Sequence, residues 1–153
     1  MKLVASIIGV ALVLIYVIGS GLWVNTGDGW YRGLNQPAWK PPDFIFGIIW
    51  PYNFIILGFA AVIVSNRLSN VLVAVYLSIF AISVACALTW AYQFYRPHNL
   101  EAASTALTCV AVLTVVLVVI ASRASWPLAF ALMPYQVWVL IASFLSWTYA
   151  RLN

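Results

Sequence analysis

Very few side chains in this 153-residue sequence can move a proton, attack a carbonyl or hold a metal. The carboxylates are Asp28, Asp43 and Glu101, the one histidine is His98, and the two thiols are Cys86 and Cys109. His98 sits beside Arg96, Pro97 and Asn99 with no nucleophile fixed near it, so a hydrolytic pair is not spelled out. A solvated loop histidine is the plain expectation, a haem iron ligand the alternative. Cys86 and Cys109 fall in apolar runs where a free thiol behaves as a small hydrophobe, so no disulfide framework is indicated. What the chain has in quantity is aromatic surface, with eight Trp, eight Tyr and eight Phe. An aromatic wall is how a pocket for a flat apolar ligand is lined.

The elements that must position these rings follow from charge. Hydrophobic residues make up 65% of the chain and charged residues 7%, against about 25% charged in a soluble domain. The charged positions leave five charge-free intervals, 3–27, 44–66, 68–95, 102–122 and 124–150, each at least 21 residues long. A bilayer core roughly 30 Å thick needs about 20 apolar residues of helix. The expectation is an all-α membrane protein, a single domain over 1–153 with spans about 3–24, 44–65, 71–93, 102–122 and 127–149. Ala111–Ile120 reads AVLTVVLVVI, apolar on every face, which suits a spanning helix and not an alternating strand. Met1-Lys2 followed by Leu3–Ile18 and Gly19-Ser20-Gly21 would also suit a cleavable signal; the run continues through Leu22-Trp23-Val24 and favours a retained first helix.

Several functions lose their material at this point. The spans hold no Asp, Glu, His, Lys or Arg, the residues from which proton relays, ion-coupled pumps and intramembrane metal sites are made, so no metal site is expected. The net charge of +4 is dispersed, so nucleic acid is not an expected partner. Lys2, Arg67 and Arg123 fall on one side of the membrane and Arg32, Lys40, Arg96 and Arg151 on the other, an even split that leaves orientation open.

Trp and Tyr collect at membrane interfaces, and Trp23, Trp126, Trp147 and Tyr149 suit that role. Trp90 and Trp138 lie well inside apolar intervals. Tyr135, Trp138 and Ala142, at spacings of three and four, share one helix face, where they would serve either core packing or a ligand wall. The only long connection, 25–43, contains Trp30-Tyr31-Arg32-Gly33-Leu34-Asn35-Gln36-Pro37-Ala38-Trp39-Lys40-Pro41-Pro42. Three prolines there predict a stiff, non-helical segment able to act as a lid, with Asp43 as N-cap of the second span.

The run WYRGLNQPAWKPP resembles the first-loop signature of the TspO/MBR family, the translocator or tryptophan-rich sensory proteins, written W-Y-x-x-L-x-x-P-x-W-x-P-P. Every fixed position matches, and the likeness extends over the chain through Trp50, Trp90 and Pro134-Tyr135-x-x-Trp138-x-x-x-Ala142. The chain departs at Ala87 and Ser146, where the family commonly has Asn, and Phe94-Tyr95-Arg96 stands where Phe-Phe-Gly is common. Losing an amide from a buried pocket removes a donor and an acceptor that could orient a ligand.

The resemblance implies a five-helix bundle enclosing a hydrophobic pocket for porphyrins, haem and related tetrapyrroles, and in some members sterols or synthetic drugs. Carried over, the ligand-binding residues are Tyr31, Trp39, Pro41, Trp50, Ala87, Trp90, Tyr135, Trp138 and Ala142. The implied function is a tetrapyrrole-binding sensor or carrier with no obligatory cofactor, protoporphyrin IX or haem being the ligand. The alternatives are a light-dependent porphyrin-degrading enzyme, with Trp50 and Trp138 as candidate catalytic residues, or a sterol- or lipid-binding regulatory protein. Leu145-x-x-x-Tyr149-x-Arg151 fits a sterol motif that arises readily at helix ends. A homodimer is implied, and Ala74, Ser78, Ala81, Ala85 and Ala87 could serve it or internal packing. The location implied is a bacterial cell membrane, or an organellar membrane in a eukaryote, with lipid as the surrounding partner.

Overall fold

A computed structural model describes the whole of Met1–Asn153. It contains α1 (Lys2–Trp23), α2 (Gly29–Gly33), α3 (Asp43–Arg67), α4 (Asn70–Tyr95), α5 (Leu100–Ala124) and α6 (Trp126–Leu152), with no strand. Five of these, every one but α2, run 22 to 27 residues and are apolar enough to cross a membrane. At about 1.5 Å per residue they exceed a hydrocarbon core of roughly 30 Å. The chain is therefore an integral, multi-pass membrane protein. The long helices begin and end within four residues of the intervals that charge marks out.

Local chemistry sets the breaks. Ser69 Oγ accepts from the Leu72 amide at the start of α4, and Asn99 Oδ1 accepts from the Ala102 amide at the start of α5. Pro97 lies in the gap between those two helices, and Ser125 with Pro127 turns α5 into α6. The long helices pack as a ring in the order α1, α4, α5, α6, α3 and back to α1. Two glycines set how closely α1 can approach its neighbours. A Cβ at Gly9 would overlap the Ala61 Cβ of α3, and one at Gly19 would stand 2.6 Å from Leu88 Cδ2 of α4. Close approach through small residues is how helices bind in lipid, where no hydrophobic drive separates protein from solvent.

The core runs down the bundle axis through Leu57, Val64, Tyr76, Phe80, Leu107 and Tyr135. Outward positions such as Ile7, Leu14, Ile55, Phe59 and Val112 are exposed and apolar, as a lipid-facing surface requires. Ala74, Ser78 and Ala85 also face outward on α4, and Ala81 is half-buried. At one end, Lys2 Nζ donates to the Asn66 carbonyl and Arg67 to that of Ala124. At the other, Arg96 donates to the Leu22 carbonyl, near the first connection.

Three expectations need correction. The first connection is not non-helical throughout, because Gly29–Gly33 forms one helical turn. No proline precedes Pro37, and Asp28 Oδ1 caps the turn by accepting from the Tyr31 amide at 2.8 Å. Asp43 is not an N-cap: Pro42 holds that position, and Asp43 lies within α3, paired with Lys40. Tyr149 is not an interface residue, since it is 2% exposed within a cluster containing Phe94, Tyr95 and Leu145.

Candidate functional site

Spacing of three and four along each helix brings one stripe of rings to a shared space. Phe46, Trp50 and Phe54 fall one turn apart on α3, and Trp90 and Phe94 do so on α4. On α6, Trp138, Ala142, Leu145, Ser146 and Tyr149 make a matching stripe. These faces, with Val17 and Ser20 of α1, enclose a cavity of about 690 Å³ at the end of the bundle that carries the first connection. Thr26, Tyr31, Arg32, Gln36 and Lys40 of that connection complete the outer wall. The size falls within the range of small-molecule sites, about 300–1,000 Å³.

The rings hold one another by their edges. Trp138 meets Phe46 at 5.0 Å between centroids and 83°, and Trp50 at 6.5 Å and 88°. Trp50 in turn stacks on Phe54 at 5.6 Å, and both contact Tyr16 edge-on. Edge-to-face pairs of this kind contribute about 0.5–1.5 kcal/mol each beyond the area they bury. Three buried donors on the wall have no partner in the protein: Trp90 Nε1, Trp138 Nε1 and Tyr149 Oη. Such groups cost free energy when left unpaired, and all three atoms are themselves buried on residues whose rings line the cavity. Ser146 behaves differently. Ser104 Oγ lies 2.7 Å from the Leu100 carbonyl and 2.8 Å from Ser146 Oγ. If the single Ser104 hydrogen goes to the carbonyl, Ser146 is the donor to Ser104, and its lone pairs remain for the cavity.

The connection that closes this end is fastened at two places. The Trp30 ring stacks on His98 at 3.7 Å and 10°, and His98 stays exposed in its loop, as expected of a solvated histidine. His98 is also the only non-glycine residue at positive φ, at 58°. Farther along, the Asn35 amide donates to Asn153 Oδ1 at 2.8 Å, and Asn153 Nδ2 donates back to the Asn35 carbonyl at 3.2 Å. Between these points Tyr31 leans on Tyr95 and Tyr149.

Of the residues singled out from sequence, Tyr31, Trp50, Trp90, Trp138 and Ala142 line the cavity, and Trp39, Pro41, Ala87 and Tyr135 do not. Trp39 is half-exposed, and Ala87 and Tyr135 are each 1% exposed in the core. In the sterol motif, Leu145 and Tyr149 point into the bundle while Arg151 is exposed, so the three make no common lipid-facing patch. Cys86 and Cys109 are free thiols. Sequence reasoning missed Phe46, Phe54, Phe94 and Tyr95. The signal was present, because stepping one turn either way from Trp50 and Trp90 reaches the first three.

Comparison with known proteins agrees with this architecture. The sequence model of the TspO/MBR family matches residues 7–152. A tryptophan-rich protein TspO of Chlorobaculum tepidum is 29% identical, over 88% of this chain and 86% of its own. A membrane protein of Bacillus subtilis, YtaB, is 32% identical over 81% of this chain and 80% of its own. The human translocator protein is 26% identical over 89% of this chain and 82% of its own.

Proposed function

The chain belongs to the TspO/MBR family, and on that premise we propose that it binds a porphyrin-type tetrapyrrole in the α1–α3–α4–α6 cavity, acting as a membrane sensor or carrier. One observation carries the reading. A large cavity is walled by indole and phenyl rings, and two of its buried indole N–H groups, on Trp90 and Trp138, lack partners. A flat macrocycle offers faces that stack on the rings, which a saturated lipid chain does not. Two relatives are named tryptophan-rich sensory protein and translocator protein, which supports a sensing or carrying role.

The test is a titration of the protein in phosphatidylcholine nanodiscs with protoporphyrin IX. Tryptophan fluorescence is expected to quench to saturation, with weaker binding in Trp138→Ala. A linear, unsaturated response would remove the proposal.

A second reading is favoured by the edge contact of Trp50 on Trp138, which places two oxidisable indoles on one wall. It assigns light-dependent degradation of the porphyrin, with molecular oxygen as the oxidant. Illumination of the aerated complex would then bleach the porphyrin Soret band, and Trp50→Phe with Trp138→Phe would slow the loss. An unchanged Soret band rules it out.

A further inference from the structure

We propose that the cavity selects a ligand bearing a carboxylate, and that Arg32 at its outer end is the residue that reads that charge. This rests on the tetrapyrrole reading above and narrows it to acidic macrocycles over neutral ones.

Three charged residues line the cavity, Arg32, Lys40 and Asp43, all at the end closed by the first connection. Two of them cancel. Lys40 is paired with Asp43, the only ion pair in the protein, and its side chain is just 14% exposed while that of Asp43 is 87% exposed. Arg32 is left over. Asp28 stands one turn before it, but its carboxylate caps α2 through the Tyr31 amide and makes no ion pair with Arg32. Two other basic residues at this end, Arg96 and Arg151, lie outside the lining, and Arg96 is directed to the Leu22 carbonyl. Arg32 is therefore the one charged lining residue with no ion-pair partner, exposed at the mouth of an apolar chamber with the Asp28 carboxylate one turn away.

Guanidinium suits a carboxylate better than a lone ammonium does, because its planar fork can donate two parallel hydrogen bonds. Aromatic rings within and a guanidinium at the mouth together describe a flat apolar molecule with an acid at its edge. A sterol alcohol offers the rim a neutral hydroxyl and no charge. Arg32 also occupies one of the variable positions in W-Y-x-x-L, so the family signature does not itself call for it. Selection by this charge is a property of this chain.

The experiment compares protoporphyrin IX with its dimethyl ester, which has the same macrocycle without the negative charges, in phosphatidylcholine nanodiscs, subtracting protein-free discs. Wild type, Arg32→Gln and Arg32→Lys are titrated by Soret absorbance. The diacid is expected to bind about threefold to tenfold tighter than the ester, the scale of one partly exposed charged hydrogen bond. Arg32→Gln abolishes that difference by weakening the diacid alone, Arg32→Lys keeps part of it, and added salt shrinks it. Equal binding of diacid and ester by wild type overturns the inference and leaves the tetrapyrrole reading intact. So does an Arg32→Gln variant that weakens both ligands alike, which would make the side chain a packing group. If neither compound saturates, the tetrapyrrole reading itself has failed.

Discussion

Replacing Trp138 separates what its ring does for the fold from what its N–H does for a ligand. Trp138→Phe keeps a ring against Phe46 and Trp50 but deletes the unpartnered indole donor. Removing a buried, unpaired donor relieves about 1 kcal/mol, at the low end for such groups because polar contacts in membrane proteins are weak. Shrinking indole to phenyl loses packing worth about 1 kcal/mol. The two terms oppose each other, so the stability of the ligand-free protein should stay within about 1 kcal/mol. Trp138→Ala instead loses both edge contacts, at about 0.5–1.5 kcal/mol each, along with the packing of the remaining ring. The lipid reference state removes most of the transfer term, and the deleted ring borders an existing cavity, so the total comes to about 2–3 kcal/mol. At about 2–4 °C per kcal/mol for a chain of this size, Tm should fall by about 5–10 °C for Ala and by less than about 4 °C for Phe. Thermal unfolding in nanodiscs followed by near-UV circular dichroism reads this directly. Soret titration of the same samples should show about tenfold weaker porphyrin binding in Trp138→Phe, the value of one lost hydrogen bond. Phe binding as tightly as wild type would show that the N–H does not meet the ligand. Phe melting as low as Ala would show that the donor is no burden to the empty fold.

Two further outcomes follow from the packing. Gly9→Val should cost more than about 2 kcal/mol, because its added atoms meet the Ala61 Cβ across the α1–α3 contact, while Gly21→Ala, with nothing within 4 Å, should be neutral or slightly stabilising; thermal melts of the pair decide this. Trp30→Ala combined with Asn153→Ala should raise amide exchange across residues 29–42 by about tenfold, since it removes the His98 stack and both hydrogen bonds that the Asn153 side chain makes to the Asn35 backbone, and leave α4 and α5 protected.

The bundle was legible because its charges are so few. Arg67, Arg96 and Arg123 mark helix ends almost residue for residue, since a charge inside the hydrocarbon costs too much to be placed casually. The site was legible where periodicity was followed and obscure where it was not. Trp138 and Ala142 come out together from one helix face, and Tyr135 on that same stripe falls in the core because it lies a turn deeper than the cavity floor. No spacing rule shows depth. Trp39 and Pro41 match the loop signature yet stay outside the cavity, because the path of a proline-rich segment depends on what fastens it. Those fastenings, Trp30 on His98 and Asn35 with Asn153, join residues 68 and 118 positions apart. The one helical turn in the loop is written locally by Asp28, and only the density of later prolines hid it.

The ring order has a consequence for how the protein is assembled. Helices α3 and α4 are joined by only Leu68 and Ser69, yet α1 makes the broad contacts with both, through Gly9 on one side and Gly19 on the other. Helix α1 is thus a wedge that the α3–α4 hairpin straddles, and its close contacts help set the angle between the hairpin's two arms. Without it, α3 and α4 would frame a cleft open to lipid along their length. A chain cut within the connection 24–28 and expressed as two pieces should close its chamber only when α1 is supplied, because α1 is the keystone between α3 and α4.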